Sequence, residues 1–378
     1  MIKVLELGIT GTIGGIETYL YSQCQHLDGE KIHCDYINDK NYPQLAFEDE
    51  FKALGAGIVD ITSNFSRHPF KFLKEFRSML ERNQYDVVIA NATLYSLKQA
   101  WELSETKKAG IPVRIFHAHT SGGKKNLKTF LGWLFEHFKC AYGWGGVITH
   151  RWACSQMAGE YFFKRKPFEV ITNGIDVKRY AFDEEIRTRM RNELHVPDGR
   201  IVLGNVGRIN YPKNQSFLIP VLKSCLDMGL DAELWLVGAM HPGDEEPKKV
   251  QQAIAQKSIQ NRVRLLGQRT DVPDLLMAMD VFLLPSLFEG FPVVGVEAEA
   301  SGISCIFSDG ITHIVKILPN SIFVSLDDAP GKWAEKIVLL ISESFGRTQA
   351  WKAVEDAGFG IASNAKRVEK LLFNYVGN

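Results

Sequence analysis

The sequence predicts an α/β protein made of two doubly wound domains in tandem. Three observations carry this. Short apolar runs alternate with helical stretches, the pattern of a parallel sheet with crossover helices. The alternation breaks off and restarts near residue 201. A chain of 378 residues also suits two domains at roughly 150 residues each.

In the first half, Val4–Gly8, Asp86–Ala90 and Val113–His117 read as buried strands, with helical runs over Ile16–Leu27 and Phe70–Arg82. The second half restarts with Ile201–Gly207, followed by Glu233–Gly238, Val263–Gly267 and Val281–Pro285. The polar stretch Asp176–Arg200 reads as the linker region, and Ala365–Tyr375 as the last helix. Ligands of open α/β sheets bind outside the carboxyl ends of the strands. Two such domains facing each other would place a site in the cleft between them.

Composition narrows the function. Hydrophobic residues make up 45% and charged residues 23%, ordinary for a globular chain, and the formal net charge is zero. No general nucleic-acid partner is expected. The six cysteines form no Cys-x-x-Cys pair and no zinc spacing, so they read as buried thiols of a reducing compartment. Met1-Ile2-Lys3 runs straight into a strand, with no charged n-region and cleavage site. No apolar run reaches the roughly 18 to 20 residues of a membrane span. A cytoplasmic protein is expected.

The strongest motif runs from Ser286 to Gly302. A buried strand ends at Pro285, and Glu289 and Gly290 follow in a loop. Pro292 stands where a helix can start and Gly302 where one can end. A helix N-terminus offers free N–H groups and partial positive charge, suited to a diphosphate. The carboxylates of Glu289 and Glu297 can accept hydrogen bonds from sugar and ribose hydroxyls. Taken singly, Glu289 reads as a helix N-terminal charge, and Glu297 and Glu299 as solvated groups.

Two glutamates with seven residues between them, in an E-G-F-P setting, resemble the signature of retaining GT-B glycosyltransferases of family 4. The resemblance extends over nearly the whole chain. It implies a GT-B fold: two Rossmann-like doubly wound domains facing across a cleft. Residues 1–174, completed by a C-terminal helix at 362–378, would form the acceptor side. Residues 175–361 would bind the nucleotide sugar.

Other positions match the family in turn. Gly207-Arg208 with Lys213 resembles its G-R…K pair. The glycine would let backbone approach a phosphate, and the two cations would neutralise a departing diphosphate. Gly14-Gly15-Ile16-Glu17 resembles the N-terminal G-G-x-E turn, which approaches the donor phosphates and the acceptor. The family places a histidine over the donor sugar. His119 fits best, with His117 two residues away as the alternative, since alternation along a strand points both the same way. Asn173-Gly174-Ile175-Asp176 matches an architectural turn, one that Asn and Gly would permit to be left-handed. Arg269 lies in a stretch resembling the border of the base site, with Asp271 equally suited to capping the next helix. Gly290, Phe291 and Pro292 complete the glutamate loop. Ala239–Glu246 departs from the family, where a short glycine turn is usual.

No Asp-x-Asp metal motif occurs, so no metal and no cofactor is expected. The resemblance implies a nucleotide-sugar donor, UDP-linked first and GDP-linked next. It also implies a polyprenyl-diphosphate-linked saccharide acceptor, as in bacterial exopolysaccharide or capsule synthesis. Residues 121–166 hold eight basic and two acidic side chains among aromatics, a surface suited to an anionic membrane on the inner face of the plasma membrane. A UDP-sugar epimerase of the same fold and a silent binding subunit are the rival readings. The first lacks recognisable acid/base residues. The second sits badly with intact Arg208, Lys213, Glu289 and Glu297.

Overall fold

The computed structural model describes residues 1–39, 42–93, 96–120, 146–241, 243–343 and 345–377. Residues 121–145, the larger part of the basic and aromatic stretch, lie outside the described residues. The chain divides into two compact units. One comprises residues 1–174 with 361–378, the other residues 175–360.

The first unit holds strands β1 (Ile2–Leu7), β2 (Ile32–Asn38), β3 (Gly57–Asp60), β4 (Val87–Ala92), β5 (Val113–Ala118), β6 (His150–Ala153) and β7 (Glu169–Val170). They form one parallel sheet in the order β3-β2-β1-β4-β5-β6-β7. The second unit holds β8 (Ile201–Val206), β9 (Ala232–Val237), β10 (Val263–Gly267), β11 (Val281–Leu284), β12 (Ser304–Ser308) and β13 (Ser321–Val324). Their order is β10-β9-β8-β11-β12-β13, again all parallel. In both sheets the strand order reverses beside the first strand, between β1 and β4 and between β8 and β11. Such a switch point leaves a crevice at the strand carboxyl ends.

Parallel strands are covered on both faces, so they read as near-continuous apolar runs. β4, β5 and β9 are buried along their whole length. One core gathers Val4, Phe51, Ile89, Ile115 and Trp152, and the other Leu203, Leu234, Leu283 and Trp333. The helix Ile361–Gly377 completes the first core. It buries Ile361, Ala365, Val368 and Leu372 along one helical stripe. The Asn364 amide donates to the Thr172 carbonyl at 2.7 Å, and Glu369 accepts the Asp28 N–H at 2.6 Å.

Asp176–Arg200 is not a linker. It holds a 3₁₀ turn, Val177–Tyr180, and a helix, Glu184–Glu193, capped by Asp183. Arg187 and Arg191 reach Asp280 at 2.5 and 3.1 Å, and Arg187 also donates to the carbonyls of Met277 and Met279. The segment looks polar because it grips its neighbours through guanidinium groups rather than apolar side chains. The Asn173-Gly174 turn is not left-handed either, since neither residue has a positive φ. Gly174 is needed for closeness: a Cβ there would lie 2.8 Å from the Ile361 Cα.

Among the described residues no helix is long and apolar enough to cross a membrane. Of the described cysteines, Cys34, Cys154, Cys225 and Cys305 are buried and Cys24 is half-buried, all as free thiols.

Candidate active site

The predicted residues of each unit lie at the carboxyl ends of its strands: beside the switch point for most, at the end of β5 for His117 and His119, and past the edge strand β10 for Arg269. In the first, β1 runs into the loop Gly8–Gly14 and the helix Gly15–His26. Gly8 has φ +94°, and a Cβ there would lie 2.1 Å from the Asn91 carbonyl oxygen, so only glycine fits. Glu17 is buried and turned onto this loop. Its Oε1 accepts the Thr10 N–H at 3.1 Å and the Thr10 hydroxyl at 2.6 Å. In this structure Glu17 shapes the loop. Gly14 precedes the helix, and a Cβ on Gly15 would meet only open space.

His117 ends β5 with Ala118, and His119 follows directly. Their rings lie 4.0 Å apart, both beside Tyr19, and the edge of Trp152 covers His117. His119 Nε2 lies 3.0 Å from Asn91 Oδ1. Burial pulls His119 down to about 3 and His117 well below the ordinary histidine range, so both rings are neutral at physiological pH.

In the second unit, Gly207 follows β8 directly and has φ +147°. A Cβ on Gly238 would lie 2.1 Å from the Gly207 carbonyl oxygen, so two glycines let these strand ends meet. Arg208 is exposed and forms no ion pair with the described residues. Lys213 reaches Glu289 at 2.5 Å, and the Ser286 hydroxyl donates to the same Glu289 oxygen at 2.8 Å. The loop is tied from both sides. Leu287 N–H donates to the Pro212 carbonyl at 2.8 Å, and the Asn214 amide to the Pro285 carbonyl at 3.2 Å.

Pro292 stands at the N-cap of the helix Val293–Ala300, and Gly302, at φ +69°, follows its last turn. Gly290 is buried, and Phe291 stacks on Phe359 with centroids 5.6 Å apart. Glu297 and Glu299 are not solvated: they are 9% and 0% exposed. The Tyr180 hydroxyl donates to Glu297 at 2.8 Å, and burial raises the Glu297 carboxyl above its ordinary value. Glu299 accepts the Leu318 N–H at 2.7 Å and is pushed up by burial to about 7. It braces the loop before β13.

Asp271 does not cap its helix through its side chain. It pairs with both forks of Arg269, at 2.8 and 2.6 Å, because a guanidinium two residues away matches both carboxylate oxygens. The unusual Ala239–Glu246 segment is anchored at its far end, where Glu246 accepts the Ser216 N–H at 2.8 Å.

Solved structures share this architecture throughout. Anabaena HepE in complex with UDP aligns at TM-score 0.80 over 99% of this chain and all of its own, at 21% identity. Sucrose-phosphate synthase from Thermosynechococcus elongatus aligns at 0.80 over the full length of both chains, at 16% identity. Residues 13–179 match the model of Glycosyltransferase Family 4, and residues 200–343 that of Glycosyl transferases group 1. The chain is a GT-B glycosyltransferase. Bacillus subtilis EpsF is 28% identical over 334 residues, 86% of this glycosyltransferase and 84% of EpsF. The Escherichia coli UDP-Gal:alpha-D-GlcNAc-diphosphoundecaprenol alpha-1,3-galactosyltransferase is 23% identical over 336 residues, 86% and 85% of the two chains.

Sequence reasoning missed Glu6, Asn91, Tyr180 and Ser286. Glu6 and Asn91 did leave a signal: each is a polar side chain late in a mostly apolar buried strand. In this glycosyltransferase Glu6 is 3% exposed, and burial raises its carboxyl from 4.5 to about 8. The folded state therefore keeps a proton that the unfolded chain releases between those values. That contribution to stability is present below about 4.5 and lost as pH rises through about 8. Wild type should lose on the order of a few kcal/mol against Glu6→Gln between pH 5 and pH 9. Urea midpoints at the two pH values check this; a difference independent of pH refutes it.

Proposed function

We propose that this glycosyltransferase moves a hexose or N-acetylhexosamine, with retention and without a metal, from a UDP-sugar to a polyprenyl-diphosphate-linked saccharide. The pathway class is bacterial exopolysaccharide or capsule synthesis. One observation carries the reading: exposed Arg208 and the Lys213–Glu289 pair stand together at the β8/β11 switch point. That places two cations and a carboxylate where an α/β sheet receives a ligand.

The bond between the sugar C1 and the diphosphate oxygen breaks, and the acceptor hydroxyl oxygen bonds to C1. Negative charge grows on the leaving diphosphate. Arg208 and Lys213 neutralise it; an ammonium has three donors, so one hydrogen bond to Glu289 leaves two for phosphate oxygens. Glu289 holds sugar hydroxyls and keeps Lys213 in place. Glu297, oriented by Tyr180, holds ribose hydroxyls. Arg269 borders the base, and His119 or His117 lies over the donor sugar. The names of two similar proteins support the substrates: HepE was solved with UDP, and the E. coli enzyme is named for a UDP-Gal donor and a diphosphoundecaprenol-linked acceptor. A lipid acceptor would bring the enzyme to the inner membrane face.

The deciding experiment is nucleotide release from a panel of UDP- and GDP-sugars, with and without a GlcNAc-diphosphoundecaprenol acceptor, and with and without EDTA. UDP release from one sugar, raised by the acceptor and unchanged by EDTA, is expected, with an α-linked product. Release from GDP-sugars alone overturns the donor assignment. Loss of release on adding EDTA overturns the metal-independent mechanism. Interconversion of UDP-sugars without UDP release replaces transfer by epimerisation.

A further inference from the structure

Glu6, Asn91 and His119 form a hydrogen-bonded chain across three neighbouring strands at the carboxyl end of the first sheet. Asn91 lies on β4, between Glu6 on β1 and His119 just past β5. Its amide nitrogen donates to Glu6 Oε2 at 2.7 Å and to the Leu7 carbonyl at 3.1 Å. Its side-chain oxygen is therefore the group that faces His119 Nε2, at 3.0 Å. Turning the amide over would set its oxygen against the Leu7 carbonyl, which can only accept. The backbone holds the bridge in place: the Asn91 carbonyl accepts from the Gln99 amide at 2.7 Å, and His119 N–H donates to the Ala92 carbonyl at 2.8 Å. Glu6, Asn91 and His119 are 3%, 2% and 8% exposed.

A neutral imidazole carries one N–H, and the hydrogen bond made by one ring nitrogen decides the state of the other. With an acceptor at Nε2, the proton sits there and Nδ1 keeps its lone pair. His119 Nδ1 is buried and has no hydrogen-bond partner among the described residues. A buried acceptor left without a donor is costly, so it marks a place where a donor is missing.

We infer that Glu6 and Asn91 are positioning residues that hold His119 in its Nε2–H tautomer, presenting Nδ1 as an acceptor for a hydroxyl of the bound saccharide. The inference rests on the reading of His119 as a residue of the transfer site. The Leu7 carbonyl and Glu6 fix the amide, the amide fixes the ring, and the ring selects a hydrogen donor.

The test is ¹H–¹⁵N long-range NMR of histidine-labelled full-length protein, with the His119 signals assigned by their loss in His119→Gln. Wild type should show the proton on Nε2. Asn91→Ala should release the ring to a mixture of tautomers and lower donor turnover about 100-fold. Glu6→Gln, whose amide oxygen can still accept from Asn91, should retain the tautomer and most of the turnover. A proton on Nδ1 in wild type, or an unchanged tautomer in Asn91→Ala, overturns the inference. Should Asn91→Ala fail to fold, the wild-type and Glu6→Gln spectra still decide it. Normal turnover in His119→Gln would instead overturn the role of His119 in transfer, leaving the tautomer result to stand by itself.

Discussion

Replacing Glu289 by alanine is expected to lower donor turnover by about a hundred- to a thousandfold while the second unit keeps its fold. The side chain is on a loop and partly exposed, so little packing is lost. What goes is the acceptor that holds Lys213 at 2.5 Å and takes the Ser286 hydroxyl at 2.8 Å. Without it the ammonium swings free, and the sugar hydroxyls lose a partner as well. Lys213→Ala should cost a similar factor. The double variant should be little worse than either single one, because the two groups act as a unit. Single-turnover rates with the preferred donor, beside circular dichroism, provide the check. Strict additivity would show that the pair is incidental.

Arg347→Ala should destabilise the second unit by about 3 kcal/mol without touching the chemistry. Its guanidinium donates to the carbonyls of Leu276, Met277, Met279 and Ser301, at 3.0 to 3.2 Å, and stacks 4.2 Å over the Phe182 ring. Arg187 can still serve Met277 and Met279, so the loss falls on Leu276, Ser301 and the ring. Arg347→Lys should recover only part, since an ammonium lacks the planar fork that spans these carbonyls. Chemical denaturation of the three proteins tests this; an Arg347→Lys as stable as wild type would show that charge alone suffices.

Much of this was legible beforehand, for identifiable reasons. Val263–Gly267 was read at its true bounds, and Ile201–Val206 and Val281–Leu284 within one residue, because parallel strands advertise themselves as apolar runs ended by Gly or Pro. The helix between Pro292 and Gly302 is readable because its start and stop signals are local in sequence. β2, with His33 and Asp35 in it, broke the apolar pattern and was passed over. The helix Glu184–Glu193 reads as linker in the sequence because its attachments are ionic. The Glu6–Asn91–His119 chain and the Tyr180–Glu297 contact join residues 85, 28 and 117 positions apart, and only strand order or tertiary folding brings them together.

The helix Ile361–Gly377 belongs to the first unit yet follows the whole of the second along the chain. The ribosome therefore delivers β1 to β7 long before the segment that covers Tyr19, Trp152 and Ile171. Until then Tyr19 and Trp152 lack the contacts with Asn364 and Tyr375 of that helix. The second unit, continuous from 175 to 360, suffers no such delay and can fold as it emerges. Synthesis order thus leaves the core of the first unit incomplete until its last helix is made. Mutations along the Val368–Leu372 face should show up first as loss of yield in the cell, well before any change in the activity of the molecules that do mature.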